Sequence, residues 1–196
     1  MKSSGQRARR ARRAFAAALF VVALSCGRPP ELPVLYPVPA VTLVGERGEP
    51  VALDSMRGNV AIYDFIFTRC GATCPMMTRA MQRLTREFPP DAPIRFVSIT
   101  VDPEYDTPQV LAQYAAEHRN DPRWSFLTGD RDAVIGLSVD GFKLAAGDPM
   151  EGLEPLLHST RFVLVDRRGD VRGYYDSLDG DAMKQLVADA KALLGG

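Results

Sequence analysis

The stretch that decides the fold is residues 60–75, VAIYDFIFTRCGATCP. Its first half, residues 60–67, is a nearly continuous apolar run rich in β-branched and aromatic residues, which is typical of a strand buried on both faces. Two cysteines, Cys70 and Cys74, follow directly, and residues 75–88 then repeat apolar side chains every three or four positions, as an amphipathic helix does. The sequence therefore predicts a dithiol at the point where a buried strand ends and a helix begins.

Further strands and helices are predicted on either side of this stretch. Upstream, two short apolar segments flank a glycine-containing turn at residues 46–49, which indicates an N-terminal β-hairpin. Downstream, a helix beginning near Pro108 and a strand pair joined at residues 167–170 precede a C-terminal amphipathic helix. This order predicts an α/β fold with a mixed central sheet and helices on both faces. The predicted strands are 41–44, 51–53, 60–67, 94–100, 124–128, 161–165 and 171–175, and the predicted helices are 75–88, 108–118, 130–139 and 181–194.

Composition places the chain among ordinary globular proteins. Its 196 residues are 46% hydrophobic and 24% charged, which excludes disordered, collagen-like and disulfide-scaffold classes and suits one folded domain. The first 25 residues contain six of the 24 basic residues and no acid, so the remainder carries 18 bases against 24 acids, a net charge of −6. We therefore expect no nucleic-acid partner for the body of the chain.

The N-terminal segment is predicted to direct export. Basic residues up to Arg13 precede an apolar run at residues 14–24, which suits the hydrophobic region of a secretory signal. Residues 23–26, ALSC, resemble a bacterial lipobox, so Cys26 is a candidate lipidation site; ordinary cleavage or a retained anchor are the alternatives. In each case the domain faces an oxidising, extracytoplasmic compartment. The predicted division is a signal sequence at 1–25, a proline-rich tether at 26–40 and the folded domain at 41–196.

The spacing of Cys70 and Cys74 is compatible with several roles. Side chains four positions apart share one helical face, with Cβ atoms about 5–6 Å apart. Two thiols at that distance can chelate a soft metal ion or close into a disulfide. The positive end of the helix dipole favours a thiolate there. A structural disulfide and two unrelated core cysteines remain alternatives at this point.

Three motifs, taken in order, resemble the SCO/SenC family of copper-handling proteins. They are FIFTRCGATCP at residues 65–75, VDPEYDTP at 101–108 and HSTRFVLVD at 158–166. The resemblance covers about residues 41–194 and implies a thioredoxin-like fold, a three-layer sandwich. Several family members carry polar or acidic residues between the cysteines, whereas residues 71–73 here are neutral.

The same resemblance implies a metal site. In the family, both cysteines and a distant histidine hold one copper ion, and these correspond by position to Cys70, Cys74 and His158. Two thiolates and one imidazole suit Cu(I), and Cu(II) with an added ligand. Zinc usually takes a fourth ligand. The site is therefore expected to bind copper.

The resemblance also implies a function. It indicates a copper chaperone that delivers copper to the dinuclear copper site of a respiratory oxidase and also reduces the cysteines of that site. Its expected partners are the copper-site subunit and an upstream copper donor. Its expected location is the periplasmic side of the bacterial inner membrane, held there by an N-terminal lipid or anchor. The alternative is a thiol–disulfide oxidoreductase or peroxidase-like enzyme whose Cys70 and Cys74 cycle through a disulfide; a copper or redox sensor would use the same site.

Other side chains near these motifs are expected to be structural. His118 falls near a helix C-terminus, where a cation is mildly favoured. Met77 and Met81 follow the core face of their predicted helix. Asp106 or Thr107 is predicted to cap the next helix. Asp102 and Asp106 are assigned to this turn and cap, with support of the metal site as the alternative.

Overall fold

A computed structural model describes residues 32–144 and 159–195. Several predictions fall outside these described residues. They are the signal sequence at 1–25, the lipidation site Cys26, the first part of the tether and the ligand His158.

One mixed sheet forms the centre of the described structure. From edge to edge, its eight described strands follow the order β1-β8-β7-β4-β5-β6-β2-β3, in which β4, β5 and β6 are parallel and the other neighbours are antiparallel. The strands are β1 (Tyr36–Pro37), β2 (Thr42–Gly45), β3 (Pro50–Ala52), β4 (Val60–Ile66), β5 (Ile94–Thr100), β6 (Trp124–Thr128), β7 (Arg161–Val165) and β8 (Asp170–Asp176). The helices are α1 (Thr73–Thr85), α2 (Pro108–His118), α3 (Arg131–Gly136) and α4 (Gly180–Leu194), with a 3-10 turn at Leu53–Met56 and a π-helical turn at Leu137–Gly141.

Strand β4 is the central element, as its apolar run predicts. It is buried along its whole length and pairs with β5 from Val60↔Ile94 to Ile66↔Thr100. On its other side it pairs with β7 in the antiparallel sense, with Tyr63 opposite Val163. The carboxyl end of β4 and the amino end of β7 therefore lie at the same edge of the sheet.

Helices cover both faces of the sheet, which confirms the predicted layers. Phe126 shares one face with α2, whose Tyr114 ring packs against it at 5.6 Å. Helix α1 lies on that face too, since its Thr78 hydroxyl hydrogen-bonds the Tyr114 hydroxyl at 2.6 Å. On the opposite face Phe142, which follows the π-helical turn, packs on Tyr63 at 5.0 Å.

The predicted N-terminal hairpin is confirmed. Strands β2 and β3 pair with Thr42 opposite Ala52, and Gly48 in the turn has a φ of +84°, which favours glycine. The hairpin joins the main sheet through β2, where Val44 pairs with Thr128 of β6.

The stretch predicted as a tether begins the sheet earlier than expected. Strand β1 lies within residues 26–40 and pairs with β8, Tyr36 opposite Val171. The Tyr36 hydroxyl donates to the Phe142 carbonyl at 2.9 Å, and the Arg172 guanidinium binds the Pro33 carbonyl at 2.9 Å. Proline is tolerated here because β1 is an edge strand. The extended tether is therefore at most the part of residues 26–40 that precedes these contacts.

Two predicted helices differ in their ends. Helix α1 runs from Thr73 to Thr85 rather than over residues 75–88, with Arg86 as its C-cap. The segment 130–139 is divided into α3 and the π-helical turn. Within the described residues, no helix has the length and apolar character needed to cross a bilayer.

Candidate metal centre

Both cysteines of the predicted site lie at the carboxyl edge of β4. Cys70 ends the turn after the strand, and Cys74 occupies the first turn of α1. The two thiols are free and buried, with exposed fractions of 8% and 4%. The Cys74 backbone N–H lies 3.4 Å from the Cys70 sulfur and donates to it. The structure thus places a reduced pair at the junction where the sequence predicts it.

The two thiols have different electrostatic surroundings. Burial alone would raise the pKa of Cys70, but the backbone N–H groups of residues 72–74 outweigh it and hold that pKa below its ordinary value. Burial raises the pKa of Cys74, and the neighbouring Cys70 and Asp64 raise it further. Cys70 is therefore the better thiolate of the reduced pair.

A buried carboxylate holds the loop that carries Cys70. Asp106 is fully buried and accepts hydrogen bonds from the Thr68 backbone N–H, at 3.0 Å, and from the hydroxyls of Thr68 and Thr100. Of the two predicted N-cap candidates, the structure confirms Thr107, whose hydroxyl accepts from the Val110 backbone N–H, and not Asp106. Asp106 connects the cysteine loop to the loop between β5 and α2.

An arginine beside Cys70 makes a second connection between the same two loops. The Arg69 guanidinium pairs with the Asp102 carboxylate at 2.5 Å and lies over the Tyr105 ring, 4.2 Å from its centroid. This contact is more exposed than the one made by Asp106, since the Arg69 side chain is 54% exposed. Asp102 also has its expected turn role, since its backbone carbonyl accepts from the N–H groups of Tyr105, at 3.1 Å, and Asp106, at 2.8 Å.

A third carboxylate lies beneath the cysteines, on the α1 face of β4. Asp64 is fully buried, and its Oδ1 accepts from the Ser98 hydroxyl at 2.6 Å, while its Oδ2 has no hydrogen-bond partner among the described residues. The Ser98 hydroxyl oxygen in turn accepts from the Trp124 indole N–H at 2.9 Å. Burial raises the pKa of Asp64 to about 7, although the Ser98 hydroxyl opposes this change.

We expect Asp64 to destabilise the reduced fold as pH rises. Its folded pKa lies above its ordinary value of 3.8, so stability is full below about pH 4 and falls until about pH 7. The free energy of unfolding of Asp64→Asn, relative to that of the parent protein, should therefore increase by on the order of 2 kcal/mol from pH 5 to pH 8. Urea unfolding at both pH values measures this gain. Asp91→Asn, at an exposed site, is the control. If the stability difference between Asp64→Asn and the parent protein is the same at both pH values, the expectation is contradicted.

Met77, Met81 and His118 pack against neighbouring side chains, as expected for structural residues. Met77 and Met81 are buried in the core, with exposed fractions of 2% and 0%. His118 packs its ring against Tyr114 at 4.3 Å, and its backbone carbonyl accepts from the Gln82 amide at 2.7 Å. Both contacts fix the end of α2 against α1.

The third predicted ligand, His158, lies outside the described residues. Its described neighbours Ser159 and Thr160 lead directly into β7, whose amino end is at the sheet edge that carries the cysteines. Within residues 32–144 and 159–195, no group of three or more His, Cys, Asp and Glu side chains is arranged to hold a metal ion. The described part of the site therefore consists of two sulfurs and their supporting groups.

Sequence reasoning missed several of these supporting groups. Asp64 carried a signal, since it is the one charged residue in the apolar run at 60–67. The sequence contains no signal for the contact between Arg69 and Tyr105, because these residues are 36 positions apart.

The chain is similar to proteins of one family. A family model described as SCO1/SenC matches residues 38–195. The chain belongs to the SCO1/SenC family. Among SCO1/SenC relatives, the SCO1 protein homolog of Bacillus subtilis (strain 168) is 31% identical over 178 residues, which cover 89% of this chain and 92% of the relative.

Solved SCO structures share the fold. A SCO1/SenC family lipoprotein from Bacillus anthracis str. Ames matches with a TM-score of 0.72 at 28% identity, over 81% of this chain and 95% of that one. BsSco, described as having a disulfide switch and as a member of the Sco family of cytochrome c oxidase assembly proteins, matches with a TM-score of 0.68 at 32% identity, over 83% and 95%. Copper-bound ScoI of Bradyrhizobium japonicum matches by fold at 24% identity, with a TM-score of 0.66 over 80% and 98%. These matches confirm the predicted thioredoxin-like α/β fold.

Proposed function

We propose that this protein is a copper chaperone whose cargo is one copper ion bound by Cys70, Cys74 and His158. The observation that carries the proposal is the free, buried dithiol at the end of β4, whose sulfurs are both unbridged. Thiolate sulfur is a ligand that selects Cu(I) over harder cations. Cys70 favours the thiolate and Cys74 the protonated thiol, so copper binding would displace the remaining proton from Cys74.

The connection of β7 to the sheet supports His158 as the third ligand. Its two described neighbours, Ser159 and Thr160, are held at the sheet edge by the Ser177 backbone N–H, which donates to the Thr160 carbonyl at 2.9 Å. A three-coordinate site leaves one side of the ion open to an incoming ligand. Transfer can then proceed by stepwise replacement of one ligand at a time.

The proposed recipient is the dinuclear copper site of a respiratory oxidase. Membership in a family that includes cytochrome c oxidase assembly proteins supports this choice. The proposed location is the periplasmic side of the inner membrane, with Cys26 as the lipidated residue; the lipoprotein of Bacillus anthracis in the same family supports it. Upstream, a copper donor would load the site.

The test is copper transfer from the full chain to a soluble copper-site domain of an oxidase with reduced cysteines. We expect the optical bands of the assembled dinuclear centre to appear faster with the Cu-loaded protein than with an equal concentration of chelated copper. His158→Ala should remove this advantage. Equal rates with and without the chaperone would overturn the proposal.

A second function, thiol–disulfide exchange, is favoured by the unequal pKa values of the two thiols. In that reaction the Cys70 thiolate attacks a disulfide of the recipient and releases one recipient thiol. Cys74 then attacks the Cys70 sulfur of the mixed disulfide and releases the second recipient thiol. Two electrons and two protons thus pass to the recipient, and Cys70 and Cys74 form a disulfide. The disulfide switch described for BsSco supports this possibility. His158→Ala separates the two functions, because it should leave dithiol turnover with a disulfide-containing peptide within about twofold while it removes copper transfer.

A further inference from the structure

The outer face of α1 carries unpaired positive charge. Arg79, Arg83 and Arg86 follow each other at intervals of four and three, so they lie on one side of the helix. All three are exposed, and none forms a salt bridge with another described residue. This cluster is unusual on a domain whose residues beyond the first 25 carry a net charge of −6.

An apolar groove runs beside this face, between α1 and α4. Its volume is about 390 Å³, and its length follows two turns of each helix. The lining includes Ala80 and Leu84 of α1, both 2% exposed, together with Met183 and Val187 of α4. We call these residues, with Arg83 at the rim, the α1/α4 groove.

The charges at the groove rim leave one cation without a partner. Glu87 is 3.9 Å from the Lys191 ammonium, and Lys184 pairs with Asp181 at 2.8 Å. Arg83 alone among the charged residues lining the described groove has no ionic partner. The α1 side of the rim is therefore positive, whereas Asp176 and Asp179, which adjoin the lining residues before α4, are exposed carboxylates.

The end of the groove next to the start of α4 contains a buried polar group and open space. Ser177 is 3% exposed and lines the groove, and within residues 32–144 and 159–195 its hydroxyl has no hydrogen-bond partner. A Cβ placed on Gly180 would meet no heavy atom within 4 Å. Leu178, also in the lining, is 47% exposed and extends the apolar surface of the groove.

We propose that the α1/α4 groove and the adjoining arginines dock an acidic amphipathic helix of a partner protein. Apolar side chains spaced three and four positions apart would fill the groove, as in other helix-in-groove complexes. Acidic side chains on the flank of that helix would meet Arg79, Arg83 and Arg86. Charge complementarity selects this occupant, since an acidic flank would neutralise the three unpaired arginines on the α1 side of the groove.

The shape of the groove favours a helix over a membrane surface. Ala80 and Leu84 form a recessed floor that is almost fully buried, so side chains must enter the groove to contact it. A flat anionic bilayer would touch the arginines and Leu178 but would not reach the floor. The proposal requires no metal at Cys70 and Cys74, and it is therefore independent of the copper function.

The probe is a fluorescent synthetic helix of about 18 residues with leucines at the i, i+3, i+4 and i+7 positions and glutamates on both flanks. A second peptide has lysine in place of every glutamate. Fluorescence anisotropy with the reduced full chain should show binding of the glutamate peptide, weakened by added salt, and at least tenfold weaker binding of the lysine peptide. Failure of the glutamate peptide to bind would overturn the proposal.

Two variants locate the binding, each with a matched control. Arg83→Glu reverses the rim charge and Gly180→Leu fills open space at the groove, and each should weaken binding at least tenfold. Arg95→Glu makes the same charge change at an exposed site on the opposite face of the sheet, and Gly136→Leu adds the same side chain to α3, where a Cβ also meets no heavy atom within 4 Å. Thermal unfolding checks that all four variants fold.

Three further results would overturn the proposal. Equal effects of the groove variants and their controls would show that the peptide binds elsewhere. An unchanged affinity in both groove variants would do the same. Binding of vesicles of anionic phospholipid that is weakened by Arg83→Glu but not by Gly180→Leu, without peptide binding, would identify the arginines as a membrane surface instead.

Discussion

Replacing His158 by alanine is expected to abolish tight copper binding by the reduced protein. The substitution removes one of three proposed ligands and leaves a two-sulfur site. The loss should exceed the roughly 10–100-fold decrease in affinity that removal of an outer-shell partner causes. Competition with a chromophoric Cu(I) chelator measures the affinity and the number of ions per chain. Cys70→Ser and Cys74→Ser should show losses at least as large.

The chain provides a matched control for this experiment. His118 is the only other histidine, and it packs on Tyr114 at the end of α2, where its role is structural. His118→Ala should therefore bind one copper ion with the affinity of the parent protein. If His158→Ala retains that affinity too, the proposed third ligand is wrong, and the dithiol alone or another donor holds the ion.

Asp106→Ala is expected to cause the largest loss of stability in the loop system that supports the cysteines. The carboxylate of Asp106 is fully buried and receives three hydrogen bonds, two from Thr68 and one from Thr100. Its removal leaves these donors buried without an acceptor, at about 1–3 kcal/mol for each group that finds no new partner. We expect a decrease of about 3–5 kcal/mol in the free energy of unfolding, measured by urea titration of the reduced protein.

The neighbouring carboxylate is the control for this substitution. Asp102 pairs with Arg69, whose side chain is 54% exposed, so solvent weakens this ion pair. Asp102→Ala should therefore decrease stability much less than Asp106→Ala. If Asp106→Ala does not fold, Asp106→Asn preserves the shape, and its loss should still exceed that of Asp102→Ala. A loss below about 1 kcal/mol in both Asp106 variants would contradict the role assigned to this residue.

The parts of the fold that sequence predicts best are those with a strong local pattern. The apolar run at 60–67 became β4, and the helix expected at 108–118 is α2 with those ends. Hydrophobic periodicity and a proline in the first turn decide these elements without long-range information. The positions of Cys70 and Cys74 at a strand–helix junction follow from the same local signals.

The parts that the sequence did not predict depend on contacts between distant segments. The prolines around β1 predict an extended tether, and only pairing with β8, more than 130 residues away, makes this segment a strand. The roles of Asp106 and Arg69 likewise depend on how two loops meet across the sheet edge. The α1/α4 groove has the same origin, since neither helix alone contains it.

The most direct test of the copper function is diffraction at the copper absorption edge from crystals of the reduced, Cu(I)-loaded full chain. We predict one anomalous peak per chain, bonded to the sulfurs of Cys70 and Cys74 and to one ring nitrogen of His158. A single peak held by the sulfurs with the His158 ring remote from it, or a peak away from Cys70 and Cys74, would contradict the account.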